Sequence, residues 1–231
     1  MSAHKRNAAV LVSGGLDSAV LLAECAEIWP QVTPIFIRSG LLWEEAELRA
    51  LRRFVASLAE PSLTPIAELT LGAAQMYGDD HWSVNGARVP KFQDPDPEVY
   101  LPGRNLLLLS HAATFCSLTG IDQIFVGLLR GNPFPDASEK FLEQMARTVS
   151  MALGRPIEIH APYRQYSKSD VILRGRRWPI HLTLSCLQPR GGRHCGKCNK
   201  CAERQKAFQQ AGIIDPTDYG AAVRLRVATA P

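Results

Sequence analysis

Apolar runs of strand length alternate along this chain with longer stretches whose apolar residues recur at helical spacing. Ala8–Val12 predicts a buried strand and Asp17–Ile28 an amphipathic helix. Val32–Arg38 follows as a strand, Trp43–Ala59 as a helix rich in Glu, Ala, Leu and Arg, and Leu63–Leu69 as a third strand. After a long gap, Arg104–Leu118 reads as a helix, Gln123–Gly127 as a strand and Ser138–Leu153 as a helix. Pro156–Ile159 then gives a short strand, and Ser169–Arg177 the last helix of the main body. Such alternation implies right-handed crossovers and an α/β fold, a Rossmann-like parallel sheet with helices on both faces.

Two segments break the rhythm and set the expected domain organisation. Residues 70–102, crowded with Gly, Pro and Asp, form a connection of uncommon length, read as a lid, a substrate loop or an interface, or else as a plain surface insertion. The second begins at Cys186 and is rich in cysteine. The expectation is an α/β domain over 1–180 that carries the insertion, and a small metal-binding segment over 181–231.

Composition narrows the class. A chain of 231 residues with 46% hydrophobic and 21% charged residues can bury a sizeable core without a disulfide framework. The net charge of +4 is compatible with anionic substrates or nucleic acid and demands neither. No apolar stretch reaches membrane-spanning length. Met1–Asn7 is polar and basic, and the apolar run behind it is cut at once by Gly14 and Asp17, so it does not read as a signal peptide. A cytoplasmic location is expected, and the six cysteines read as thiols or metal ligands.

The first candidate chemistry is the bend "SGGLDS", Ser13–Ser18, between the first strand and the first helix. Gly14 and Gly15 allow backbone conformations closed to other residues and let amide N–H groups approach a ligand. Those amides and the helix N-terminus form a nest for an anion. Ser13 and Ser18 add hydroxyl donors. Asp17 beside a phosphate makes sense if it caps the helix or holds a Mg²⁺ that the phosphate shares. The bend is not the Walker loop, since no Gly-Lys-Ser/Thr follows, and it lacks the third glycine of the dinucleotide fingerprint.

The second candidate is Cys186, Cys195, Cys198 and Cys201, spaced Cys-x8-Cys-x2-Cys-x2-Cys. Four thiolates on short loops suit tetrahedral Zn²⁺, with an iron–sulfur cluster as the alternative and His194 as a substitute ligand. Cys25 and Cys116 lie on apolar helical stretches and read as core residues. The basic residues Arg190, Arg193, Lys197, Lys200, Arg204 and Lys206 partly offset the charge of a tetrathiolate site.

These motifs carry a resemblance. "SGGLDS" is similar to the SGGxDS signature of the ATP-pyrophosphatase, or PP-loop, family, whose members adenylate a carboxylate or carbonyl oxygen and let a nucleophile displace AMP. "YLPGRNLLLLSHAA", Tyr100–Ala113, resembles the Phe-Val-Pro-Gly-Arg-Asn segment of the 7-cyano-7-deazaguanine synthase (QueC-like) family. The cysteine order and Lys168-Ser169-Asp170 are also like theirs, and the likeness runs from about Val10 to Phe208. It implies an adenine nucleotide alpha hydrolase-like fold, with Ser13, Gly14, Gly15, Leu16, Asp17 and Ser18 around ATP and Mg²⁺. It further implies Asp17, Arg104 and Lys168 as catalytic residues, Arg104, Asn105 and Asp136 at the substrate, and Zn²⁺ on the four cysteines. Arg104 and Asn105 also read as a surface ion pair and a helix cap. The implied reaction converts 7-carboxy-7-deazaguanine and ammonia to the nitrile precursor of queuosine or archaeosine in two activations, by a homodimer acting on no nucleic acid.

Two loops depart from the family pattern. Its Tyr-x-Gln-Arg-His stretch is replaced here by "RSGLLWEEAE", Arg38–Glu47, and its Gly-Tyr-Pro-Asp-Cys-Arg by "GNPFPDAS", Gly131–Ser138. The alternative function is therefore a divergent PP-loop ligase that adenylates another carboxylate or a tRNA base. A non-catalytic nucleotide-binding or zinc-ribbon module would need neither Asp17 nor the Pro-Gly-Arg-Asn segment.

Overall fold

The computed structural model describes residues 7–220, so residues 1–6 of the basic N-terminal stretch and residues 221–231 of the C-terminal segment lie outside the described part. Five short strands form one parallel sheet: β1 (Ala8–Leu11), β2 (Val32–Arg38), β3 (Ala67–Thr70), β4 (Gln123–Val126) and β5 (Glu158–His160). Their order across the sheet is β3-β2-β1-β4-β5. Chain direction across the sheet reverses beside β1, so the crevice at its carboxyl end is where an open α/β sheet takes a ligand.

Helix α1 (Leu16–Ile28) leaves that crevice, and α2 (Glu44–Leu58) follows β2. The insertion folds into two short helices, α3 (Ala73–Tyr77) and α4 (Trp82–Asn85), before α5 (Arg104–Thr119). Beyond β4 and β5 come α6 (Glu139–Leu153), α7 (Lys168–Gly175) and α8 (Asn199–Ala211). Alternation along β1 divides the core in two. Ala8, Val10 and Val12 face a cluster with Leu16, Val20, Leu48, Val171 and Phe208, and Ala9 faces Leu109, Ala112, Ile124 and Met145 on the other side. Cys25 and Cys116 are buried in these two cores, and burial pushes each thiol up to about 12, as suits inert core residues.

The sequence places the third strand at Leu63–Leu69, whereas the ladder proper begins at Ala67. Two prolines account for the shift. On the β3 side of β2, Val32 donates to the Ser62 carbonyl and accepts from the Thr64 N–H. Two residues on, Pro34 points the same way and has no N–H to give. Pro65 occupies the opposing chain, and pairing resumes only at Ile35↔Ala67.

The cysteine-rich segment and the insertion share one core. Leu41, Trp43, Val99, Leu101 and Leu184 are buried with the four cysteines, with Trp82, Val89 and Phe134 packed around them. Lys91 pairs with Cys198 in an antiparallel bridge, and the Asn199 side chain donates to the Asp94 carbonyl at 2.6 Å. The insertion is thus a wall built around the cysteines. Helix α8 extends the same segment back onto α7 and places Phe208 in the core beneath β1.

Helix α7 packs on α1 through Gly175, where an added Cβ would lie 2.5 Å from Val20 Cγ2 and 3.1 Å from Ile180 Cγ2. Gly175→Ala should therefore lower stability by about 1–3 kcal/mol in urea unfolding, with the slope of the transition unchanged.

Candidate active site

The bend at the end of β1 is shaped by one glycine and closed by two serines. Gly14 has φ +76°, and a Cβ there would come 2.3 Å from the Glu47 carbonyl oxygen of α2. Only glycine fits, by conformation and by space. The Gly14 carbonyl accepts the Leu184 N–H at 2.8 Å, which fastens the bend to the chain just before Cys186. Ser18 Oγ accepts the Ser13 N–H at 3.2 Å and lies 3.3 Å from Ser13 Oγ, which in turn accepts the Gly15 N–H at 3.3 Å. Leu16 turns its side chain into the core, so only its backbone faces the crevice.

Gly15, and not Asp17, holds the cap position of α1, so the helix-cap reading of Asp17 is set aside. Asp17 Oδ2 lies 3.2 Å from Lys168 Nζ, while its Oδ1 is buried and has no hydrogen-bond partner among the described residues. Lys168 Nζ also meets Glu203 Oε1 at 2.8 Å, and Glu203 Oε2 meets Lys200 Nζ at 2.9 Å. Two carboxylates and two ammonium groups from α1, α7 and α8 therefore form one chain of charge. Burial pushes the Asp17 carboxyl up, and Glu203 adds to this against the pull of Lys168. Burial disfavours the Lys168 ammonium, yet Asp17 and Glu203 outweigh it and hold the group above its ordinary value. Glu203 is drawn down to about 2, because Lys168 and Lys200 overcome its desolvation. Asp170, the third residue of the Lys-Ser-Asp pattern, forms a capping box with Ser167 and sets the first turn of α7.

Two chambers flank this loop. One, of 180 Å³, lies over the strand ends and is lined by Val12, Phe36, Ile37, Leu108 and Val126 with Ser18 and Asn105 at its edge. The other, of 360 Å³, is more polar and includes Gly15, Asp17, Arg130, Lys168, Lys200 and Glu203. Trp43, Trp82 and Phe134 supply its aromatic wall, with Trp43 and Trp82 stacked at 5.7 Å between ring centroids. Ser13, Glu47, Arg104 and Gly127 line both chambers and mark their junction. Arg104 opens α5 there, with its Nε buried and without a hydrogen-bond partner among the described residues. Asp136 stands behind that junction. Its two oxygens accept the Asn105 backbone N–H at 2.8 Å and the Asn105 side-chain amide at 3.4 Å, which caps α5 and aims Asn105 at the first chamber.

The four cysteines are buried, and their sulfurs all lie within 4.8 Å of one another, with Cys195 and Cys201 at 3.9 Å. A tetrahedral ion bonded at about 2.3 Å to each sulfur needs sulfurs about 3.8 Å apart. Backbone N–H groups of Cys195, Leu187 and Lys197 already donate to Cys186, Cys198 and Cys195 sulfurs, as thiolates require. His194 is not part of the cluster, because its Nε2 accepts the Ser185 N–H at 2.9 Å. Arg204 feels the charge of Cys201, but its hydrogen bonds go elsewhere. Fully buried, it donates to Ile180 O, Thr183 Oγ1 and Thr217 Oγ1 and props the segment that crosses the bend.

A family model described as "Queuosine biosynthesis protein QueC" matches residues 7–212. The chain belongs to the QueC family. The 7-cyano-7-deazaguanine synthase of Azoarcus sp. (strain BH72) is 34% identical over 93% of this chain and 97% of its own length. The protein of that name from Anaeromyxobacter dehalogenans is 31% identical over 94% and 97%. The NMN synthetase of Francisella tularensis overlaps 90% of this chain and 78% of its own at 13% identity and a TM-score of 0.43, too distant to inform the site. Among the described residues no helix is long and apolar enough to cross a membrane.

Within this QueC chain, four contributors escape a reading of the motifs: Glu47, Gly127, Glu203 and the aromatic wall. Glu47 looks like its neighbours Glu44 and Glu45 on an acidic helix start, and only the fold turns it to the junction. Glu203 follows the last cysteine by two residues, a spacing that carries no known ligand role. Both departing loops reach the polar chamber, the first through Trp43 and the second through Asn132, Pro133 and Phe134.

Burial pushes the Glu47 carboxyl up to about 8, with Arg104 pulling down and Glu44 adding to the rise. The unfolded chain releases that proton near the ordinary value of 4.5, so between the two values the folded state holds more protons and stability falls as pH rises. Glu47→Gln cannot ionise. Its melting temperature should gain on the wild type from pH 5 to pH 8, by about 2–4 °C for each kcal/mol relieved, and calorimetry across that range checks it.

Proposed function

We propose that this protein is a 7-cyano-7-deazaguanine synthase, an ATP-dependent C–N ligase that converts 7-carboxy-7-deazaguanine and ammonia to the nitrile and releases AMP and pyrophosphate. The observation that carries the reading is the convergence of the family's separate motifs, Ser13–Ser18, Arg104-Asn105 and Lys168, on one two-chambered cleft. The family resemblance further implies a homodimer acting on a free small molecule.

The chambers divide the substrates by chemistry. Adenosine suits the apolar chamber over β1, β2 and β4, and its phosphates then cross the junction to the nest at Ser13, Gly15 and Ser18. Pyrophosphate on that nest faces Lys168 and Lys200. The planar base suits the wall of Trp43, Trp82 and Phe134, which stacks on rings. Arg104 at the junction meets the α-phosphate, where charge builds as the bond to pyrophosphate breaks. Asn105, held by Asp136, orients what lies at the edge of the apolar chamber.

A carboxylate has no leaving group until its oxygen carries AMP. Its oxygen attacks the α-phosphorus, the bond to pyrophosphate breaks, and an acyl adenylate forms. Ammonia then adds to the carbonyl carbon, loses a proton and expels AMP to leave the amide. The amide oxygen attacks a second ATP with loss of another N–H proton, and departure of the second AMP with the last proton gives the nitrile.

The buried, unpartnered Asp17 Oδ1 fits a magnesium ion. Bound there, the ion would neutralise charge on the departing pyrophosphate. Cys186, Cys195, Cys198 and Cys201 would hold Zn²⁺ as a structural centre, which the N–H···S bonds already prepare. The closed set of four thiolates leaves no open position for catalysis.

Mass spectrometry of protein, Mg-ATP, ammonium and 7-carboxy-7-deazaguanine should show the nitrile with AMP and pyrophosphate. No nitrile beside an active authentic synthase would discard this acceptor. Asp17→Asn should slow pyrophosphate release by about 10²-fold or more with the melting temperature kept, and unchanged release would remove Asp17 from the metal. One zinc per chain is expected by elemental analysis. Cys198→Ala should lose both the metal and several degrees of melting temperature, and a variant that keeps both would refute the knot.

A further inference from the structure

The nitrile nitrogen keeps none of ammonia's three protons, so the cleft must offer an acceptor that the nitrogen can reach. Most carboxylates around it are engaged. Asp17 and Glu203 hold Lys168, and Asp96 takes the Asn199 side-chain amide at 3.5 Å. Glu44 accepts the backbone N–H groups of Ser39 and Gly40 and meets Arg38 at 3.4 Å. Glu47 lines both chambers, and among the described residues its carboxyl makes no hydrogen bond and no ion pair.

We propose that Glu47 is a catalytic residue of the amination half-reaction, the base that takes the N–H protons as ammonia becomes amide and then nitrile. The assignment rests on the ligase reading above. Position is the main argument. Packing of the Glu47 carbonyl against Gly14 locks the start of α2 to the phosphate loop, so the carboxyl stands beside the place where AMP is joined and lost. Arg104, the other unpaired side chain at the junction, meets the phosphate, and the two divide the work of charge and proton.

The step balances without a further reagent. The nitrogen lone pair forms the C–N bond, one N–H bond gives its proton to a Glu47 oxygen, and the C–O bond to AMP breaks with its electron pair leaving on AMP. Glu47 is partly exposed and returns the proton to solvent before the next transfer. Burial pushes its carboxyl up to about 8, close to the range in which a base serves best at cellular pH. Arg104 from α5 and Glu44 from its own helix are the charged groups that face it, and Asp17, Asp96, Arg130, Lys168, Lys200 and Glu203 line the polar chamber beyond.

The test separates adenylation from amination. Without ammonia, 7-carboxy-7-deazaguanine should drive exchange of labelled pyrophosphate into ATP in the wild type and in Glu47→Gln alike, since that step moves no N–H proton. With ammonia, amide and nitrile formation in Glu47→Gln should fall by about 10²–10⁴-fold, and Glu47→Asp should recover part of it. At fixed free ammonia the wild-type amination rate should rise with pH up to about 8 and then level, while the Gln variant stays flat. Amination within a few fold of wild type, or exchange lost in step with amination, would overturn the assignment. Absent exchange in the wild type would instead overturn the ligase reading and the assignment with it.

Discussion

The Leu184 N–H donates to the Gly14 carbonyl at 2.8 Å, and the architecture of the site depends on that bond. It joins the first strand-to-helix bend to a segment from the far end of the chain. Gly14 can offer its carbonyl outward only because its φ is positive, and it can do so against α2 only because it has no side chain. Cys186 lies two residues past Leu184, so the cysteine cluster holds the clamp from one side. Arg204 holds it from the other, through Thr183 and Ile180. The glycine bend and the cysteine cluster are therefore one mechanical unit, although they lie at opposite ends of the sequence.

Charge in the cleft follows the same economy. Burying an ammonium or a carboxylate alone is costly, whereas burying an alternating row of them is tolerable when each is paired. Asp17, Lys168, Glu203 and Lys200 form such a row and sum to no net charge. Lys168 is shared between Asp17 and Glu203, and Glu203 between Lys168 and Lys200, so no pair in the row is exclusive. Glu47 and Arg104 stand outside this row, and among the described residues neither side chain makes a hydrogen bond or an ion pair. They are the two groups left free for whatever meets at the junction.

Much of this was legible in the sequence where local rules decide. The alternation of strands and helices, the glycine bend and the cysteine spacing each encode geometry within a few residues, and each is found in place. The third strand was displaced because Pro34 removes a donor that faces it, an effect visible only once β2 and β3 are known to be neighbours. Helix α8 was hidden behind the cysteines, since Asn199–Ala211 is mostly polar and the spacing of Cys198 and Cys201 speaks for a metal first. The family resemblance puts Asp136 at the substrate, and in the fold both its oxygens hold Asn105, which borders the first chamber. Glu47 and Glu203 could not be singled out, because a lone acid on a charged helix takes its meaning from tertiary contacts.

The clamp between Gly14 and Leu184 also sets the order in which the protein can be made. Synthesis proceeds from the N-terminus, and strands β1 to β4 can pair as they emerge. The glycine bend cannot be braced until Leu184 has left the ribosome, nor its support completed until Arg204 and Thr217 have followed. Contacts between such distant residues carry a large loop-closure cost, so the clamp adds to the contact order of the fold. A chain that stopped short of Leu184 would contain every strand of the sheet and lack the bond that braces the glycine bend.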